Sequence, residues 1–262
     1  MIRTLHTGAT GMIAQQLNID VIANNLANVN TLGFKRSRAD FQDLLYETIK
    51  SPGSVSAAGN QVPVGIQVGL GVKPSSVTKS FSQGDMRNTS NELDVAIEGK
   101  GFFQVTMPDG SIGYTRAGAF KLDSSGQMVT PDGYLLYPPV TIPQDAITVN
   151  IDRAGLINVT QPNSTTPTEA GQFELANFVN PAGLNSVGNS FFKETAASGP
   201  PLTGLPNQNE FGAVQQGFIE SSNVSVVEEL TQMIIGQRAY EVNSKAVTAG
   251  DEMLQTANQL KR

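Results

Sequence analysis

The sequence predicts an α+β protein, with long N- and C-terminal helices pairing as a coiled coil and an antiparallel, mostly-β domain inserted between them. Three observations carry this. Apolar residues recur at alternating steps of four and three at both ends of the chain. Turn signals recur roughly every eight to twelve residues through the middle. Charged residues make up only 15% of the chain, with Gly, Ser, Thr, Asn and Gln in their place. Such a surface can be covered by other protein at low desolvation cost, which points to assembly.

Residues 3 to 28 read as a helix. Leu5, Ala9, Met12, Gln16, Ile19, Ala23 and Leu26 form its heptad seam, and Ile13, Leu17 and Ile22 widen the apolar face. Its only charges are Arg3 and Asp20, besides His6 if protonated, so contacts are expected around most of its circumference. The helix runs out in Ala23–Lys35, where Asn24, Asn25 and Asn28 sit among Ala and Leu and Gly33 breaks the run. Asn is a poor helix former because its amide competes with backbone hydrogen bonds, so the run suits a helix end that frays into a turn. Residues 35 to 50 form an amphipathic segment with Phe41, Leu44, Leu45 and Ile49 on one side. A Pro/Gly/Ser stretch follows, and then Val62, Val64, Ile66 and Val68 alternate as an extended arm or edge strand between Pro63 and Pro74.

Residues 76 to 200 read as β structure. Pro108-Asp109-Gly110, Asp123–Gly126, Pro131-Asp132-Gly133 and Asp152–Gly155 are turn signals between short alternating runs. Residues 196 to 212 read as a connection leaving that domain, and 215 to 220 as a last strand. Ser225 and Glu228 then form the S-x-x-E capping pattern at the head of a second helix. Its seam is Leu230, Met233, Gln237, Tyr240, Ser244, Val247 and Leu254, broadened by Ile234 and Met253. The expected division is residues 1–30 with 223–262 as a helical domain, 31–84 with 201–222 as connecting arms, and 85–200 as a β-rich outer domain.

The same residues exclude several functions. Net charge is −6 and the pI about 4.8, against a nucleic-acid footprint. There is no Cys, hence neither a disulfide framework nor a thiolate metal site. No stretch has the length and apolarity of a membrane span, and no basic-then-apolar leader precedes the first helix. His6 is the only histidine, and Asp85, Asp94, Glu98, Asp109, Asp123 and Asp132 fall mostly in turns, where Asp is favoured by geometry. The expectation is no catalytic residue, no cofactor and no metal.

Ala23 to Lys35 resembles the A-N-N-L-A-N-x-x-T-x-G-F-K signature of bacterial flagellar axial proteins, the rod and hook family, through Asn24, Asn25, Leu26, Ala27, Asn28, Gly33 and Phe34. Asp94–Phe103, Tyr114–Phe120, Glu220–Val224 and Gln237–Glu241 resemble later segments of the same family, in the same order. The resemblance implies a structural subunit that leaves through the flagellar export apparatus without signal cleavage. It would polymerise with itself into a hollow periplasmic shaft carrying torque, and the neutral amides of Asn24, Asn25 and Asn28 would then suit bonds to neighbouring subunits without burial of charge. Implied partners are further copies, proximal rod subunits, hook protein, and the periplasmic and outer-membrane ring proteins. Leu5, Met12, Ile13, Leu17, Ile19, Leu26, Leu230, Met233, Ile234, Tyr240, Val247 and Leu254 would then be assembly residues. Length fits the distal rod, with a similarly sized proximal subunit or a hook-like protein as alternatives. Tyr46, Ser51, Pro52, Gly53 and Pro63 resemble a rod-specific insertion. From a different class, a secreted β-domain binding protein with helical stalk ends has the same pattern.

Overall fold

The structure, a computed structural model, describes residues 2–53, 64–162 and 167–259, apart from the side chain of Ile2. Pro63 lies outside the described residues. The chain forms two compact units, one of residues 1–26, 37–78 and 225–262, the other of residues 27–36 and 79–224. In this division residues 37–78 group with the helices, and residues 27–36, 79–84 and 201–224 group with the β body.

In the first unit, α1 (Ile2–Ala27) and α2 (Val226–Gln259) are the two expected helices. They run antiparallel. A Cβ on Gly250 would meet Leu5 Cδ2 at 3.1 Å, one on Gly8 would meet Val247 Cγ2 at 2.6 Å, one on Gly11 would meet Asn243 Nδ2 at 2.8 Å, and one on Gly236 would meet Ile19 Cγ1 at 3.3 Å. Each advance along α1 is thus matched by a retreat along α2. At these crossings the helices approach through Gly8, Gly11, Gly236 and Gly250, and Asn25 bonds Glu229 at the end of α1. Leu5, Ile19 and Val247 of the predicted seams lie at the same crossings, and α1 also buries Ala14 and Ile22. The close approach is steric in origin, since interaxial distance follows the size of the side chains at the contact and glycine permits the closest approach.

Residues 35 to 50, expected as an amphipathic segment, form strands. β1 (Ser37–Asp43) and β2 (Tyr46–Lys50) pair with partners further along the ribbon, β1 with β4 (Val72–Lys79) and β2, antiparallel, with β3 (Ile66–Gly69). Leu44 N donates to Gly71 O and Leu70 N to Leu45 O, so the ribbon is continuous across both breaks. Gly71, at φ +120°, lets the bend come close to α1, where a Cβ would meet Thr10 Oγ1. His6 Nδ1 lies 3.2 Å from Leu70 O in the same region.

The second unit is β structure with two apolar clusters. Its strands are β5 (Met86–Asn88), β6 (Val95–Glu98), β7 (Phe102–Thr106), β8 (Ile112–Thr115), β9 (Lys121–Leu122), β10 (Met128–Val129), β11 (Leu135–Tyr137), β12 (Thr148–Ile151), β13 (Leu156–Thr160), β14 (Thr168–Gln172), β15 (Leu175–Asn177), β16 (Asn185–Gly188), β17 (Phe191–Lys193), β18 (Leu202–Gly204), β19 (Ala213–Gln216) and β20 (Phe218–Glu220). The largest sheet runs β16-β17-β8-β7-β11-β10-β9, with β15 bridging β7 to β18. The predicted turns are hairpin turns: Gly110, Gly126, Gly133 and Gly155 donate back to Met107, Asp123, Thr130 and Asp152 respectively. β7 is buried on both faces, sending Phe103 into a cluster with Phe120, Phe173, Leu136 and Ile157, and Phe102 into another with Tyr114, Phe178 and Phe192. β6 does not pair with β7 across Glu98–Gly101; it pairs with β19. Residues 196–212 do not simply leave the domain, because β18 completes the sheet on β15.

Candidate functional site

Two features of the helical unit bear on assembly. The first is the face that intrachain packing leaves uncovered. Ile13 is 62% exposed, and α2 exposes Val227 at 76% and Ile234 at 59%, with Leu230, Ile235, Tyr240, Val242 and Met253 also exposed. Leu5, Met12, Leu17, Ile19, Leu26, Met233, Val247 and Leu254 are half-buried. The apolar residues of the two helices are thus only partly covered by the intrachain contact. The second is the ribbon. Leu45 is 83% exposed, and Tyr46, Ile49, Val64, Ile66 and Val68 are exposed with it. Ser51, Pro52 and Gly53 continue beyond β2 and are exposed too.

The asparagines of the first signature divide. Asn25 is buried, and its amide is engaged within the chain: Ser37 N donates to Oδ1 at 2.9 Å, and Nδ2 donates to Ser37 O at 2.8 Å and to Glu229 Oε2 at 3.1 Å. It ties the end of α1 to the first turn of α2 and the start of β1. The expectation that this amide serves a neighbouring subunit is thus corrected, because burial leaves it no outward face. Asn24 is exposed, and Asn28 accepts from Thr31 Oγ1 at 3.1 Å. Ala27 is exposed and Phe34 half-buried, with Lys79 Nζ 5.4 Å from the Phe34 ring centroid.

In the β unit, three charged side chains meet out of solvent. Glu220 is fully covered, Lys35 is 1% and Arg116 4% exposed. Glu220 Oε1 accepts from Lys35 Nζ at 2.7 Å and from Gly84 N at 2.9 Å. Oε2 lies 2.9 Å from Arg116 Nε as an ion pair without hydrogen-bond alignment. The remaining donors find carbonyls: Lys35 Nζ to Ser82 O at 2.7 Å, and Arg116 Nη1 to Gly101 O at 2.6 Å and Nη2 to Gly99 O at 2.9 Å. Arg116 thereby holds the corner between β6 and β7. Two cations share one carboxylate, so burial pushes the Lys35 ammonium below its usual value, with Glu220 opposing that shift and Arg116 adding to it. Burial likewise lowers Arg116, again opposed by Glu220. Gly33, at φ +64°, brings the chain to this site; its N–H donates to Glu220 O at 3.0 Å, and a Cβ would stand 2.6 Å from Ala117 N.

Lys35, Arg116 and Glu220 lie in three separate sequence segments, and nothing in their spacing joins them. The available signal was a charge inside an apolar run, as in Phe218-Ile219-Glu220, in a chain poor in charges. Among the described residues no group of three or more His, Cys, Asp or Glu could hold a metal ion, and no helix is long and apolar enough to cross a membrane.

Three family models match in chain order. "Flagella basal body rod protein" covers residues 5–35, "Flagellar hook protein FlgE/F/G D1 domain" covers 96–159, and "Flagellar basal body rod FlgEFG protein C-terminal" covers 215–260. The chain is 50% identical to the flagellar basal-body rod protein FlgG of Buchnera aphidicola from Schizaphis graminum, over 99% of this chain and all of the relative. It is 49% identical to the Caulobacter vibrioides FlgG over 99% of both chains, and 38% identical to that of Bacillus subtilis over the whole of both. The segments matched include the Asn-rich end of α1, Gly33 and Lys35, and the Glu220 strand leading into α2. With identity of this level along its full length, the chain belongs to the FlgG family of flagellar basal-body rod proteins.

Proposed function

We propose that the chain is the structural subunit of the distal rod. It leaves through the flagellar export apparatus without signal cleavage and polymerises helically into a rigid, hollow shaft. That shaft passes the periplasmic and outer-membrane rings, joins proximal rod subunits to the hook protein, and transmits torque. Its role is structural and not catalytic. The observation that carries this reading is the apolar surface left on the helices. α1 and α2 approach closely at Gly8, Gly11, Gly236 and Gly250, and Val227, Leu230, Ile234 and Ile235 remain exposed. Exposed apolar rows of this extent favour burial against further copies. The D1 family model spans hook as well as rod proteins, and the full-length identity to FlgG favours the rod. The test is immunogold labelling of purified hook–basal bodies with antibody to this chain. Label confined to the rod segment next to the hook is expected. Label along the hook, or only at the base of the rod, would overturn the assignment.

A further inference from the structure

The chain passes between its two units four times, at 26–27, 36–37, 78–79 and 224–225. On the β-unit side, these passages belong to three segments: 27–36, 79–84 and 220–224. Every pair of the three is hydrogen-bonded. Ser80 N donates to Arg36 O at 2.8 Å, joining the first to the second. Arg36 N donates to Asn223 Oδ1 at 2.7 Å and Gly33 N to Glu220 O at 3.0 Å, joining the first to the third. Asn223 Nδ2 lies 3.0 Å from Ser80 O, 3.0 Å from Ser82 O and 2.9 Å from Ser82 Oγ, joining the third to the second. Lys35 and Glu220 add the buried ion pair, with Ser82 O and Gly84 N as further partners. One side chain, Asn223, reaches both other segments with its two amide atoms.

We propose that these segments form one clamp fastened by Asn223, so that the four passages open and close together and do not behave as independent linkers. A shaft subunit carrying torque gains from this, because load on any one passage is shared by the other three. The physical basis is cooperative. Each bond alone is weak against water, but Asn223 Nδ2 and Lys35 Nζ meet at Ser82 O and Lys35 Nζ is paired with Glu220, so losing the fastener releases all the segments.

The test is hydrogen exchange on the full-length monomer, followed at the amides of Gly33, Arg36, Ser80 and Gly84, with the core amide of Val214, bonded to Arg153 O, as internal reference. In Asn223→Ala all four clamp amides are expected to exchange faster by a common factor of about ten or more, with Val214 unchanged. Asn223→Asp keeps an acceptor for Arg36 N but removes the donor to Ser80 and Ser82. The clamp requires Arg36 to accelerate with the rest in that variant as well. Acceleration of the Arg36 amide alone in Asn223→Ala, or its continued protection in Asn223→Asp, would overturn the clamp and leave Asn223 a local cap. Acceleration of Val214 to the same extent would likewise overturn it, because the effect would then be global unfolding.

Discussion

At the residue scale the balance of charge decides the outcome of substitutions in the buried cluster. Lys35, Arg116 and Glu220 carry two positive charges and one negative in a site closed to water. Removing the anion leaves two cations facing each other, and removing Lys35 leaves a balanced pair. Glu220→Gln is therefore expected to cost about 3–5 kcal/mol of β-unit stability, the order seen when one partner of a buried pair is lost. Lys35→Gln should cost less, about 1–3 kcal/mol, from the orphaned Ser82 carbonyl and carboxylate oxygen. The double variant should be more stable than Glu220→Gln alone. Urea unfolding of the three proteins checks the order; equal losses would mean that packing, not charge, dominates.

A second residue-level effect is set by Tyr114, which burial, assisted by Glu194, pushes up to about 12 from an ordinary value of 10.0. The folded state then keeps its proton where the unfolded state has released it. The contribution is fully present below pH 10 and is lost as pH rises toward 12. Tyr114→Phe should flatten the alkaline decline in stability over that window. An unchanged slope in urea titrations would show that the phenol does not cause it.

At the element scale, what the sequence made legible was type and period. Both terminal helices, the turn at Asp109-Gly110 and the hairpin of β12 and β13 stand where the patterns place them. The face of each helix was not legible, because hydrophobic period locates apolar residues and not the partner that covers them. Here Gly8, Gly11, Gly236 and Gly250 decide the intrachain contact through their lack of a side chain. Nor could the sequence reveal that β6 pairs with β19, a long-range choice that local turn chemistry does not encode. Gly8→Val tests the helix contact. The new side chain would enter the space of Val247, and overpacking of this kind costs about 1–3 kcal/mol. The expected result is loss of helix pairing by circular dichroism and thermal melting, although valine gains slightly over glycine in intrinsic helix propensity. A rise in helix stability would refute the close approach.

At the scale of the whole molecule, the candidate site was only partly legible. The signature residues Asn24 to Phe34 pointed to the family, but their separate roles required coordinates. Asn25 closes an internal bracket, Gly33 admits the chain to the charge cluster, and Lys35 completes that cluster. What remains outward is an apolar part of the helices, and on the proposed function it separates folding from assembly. Residues 27–36 and 79–224 bury their own core and charges, whereas the helical unit leaves Ile13, Val227, Ile234 and Ile235 exposed. The most direct measurement compares purified full-length protein with protein lacking residues 1–20 under identical polymerising conditions, by electron microscopy and by near-ultraviolet circular dichroism. The account predicts filaments from the full chain only, with the β unit of the truncated protein still folded and monomeric. Filaments of ordinary length from the truncated protein would contradict helix-driven assembly.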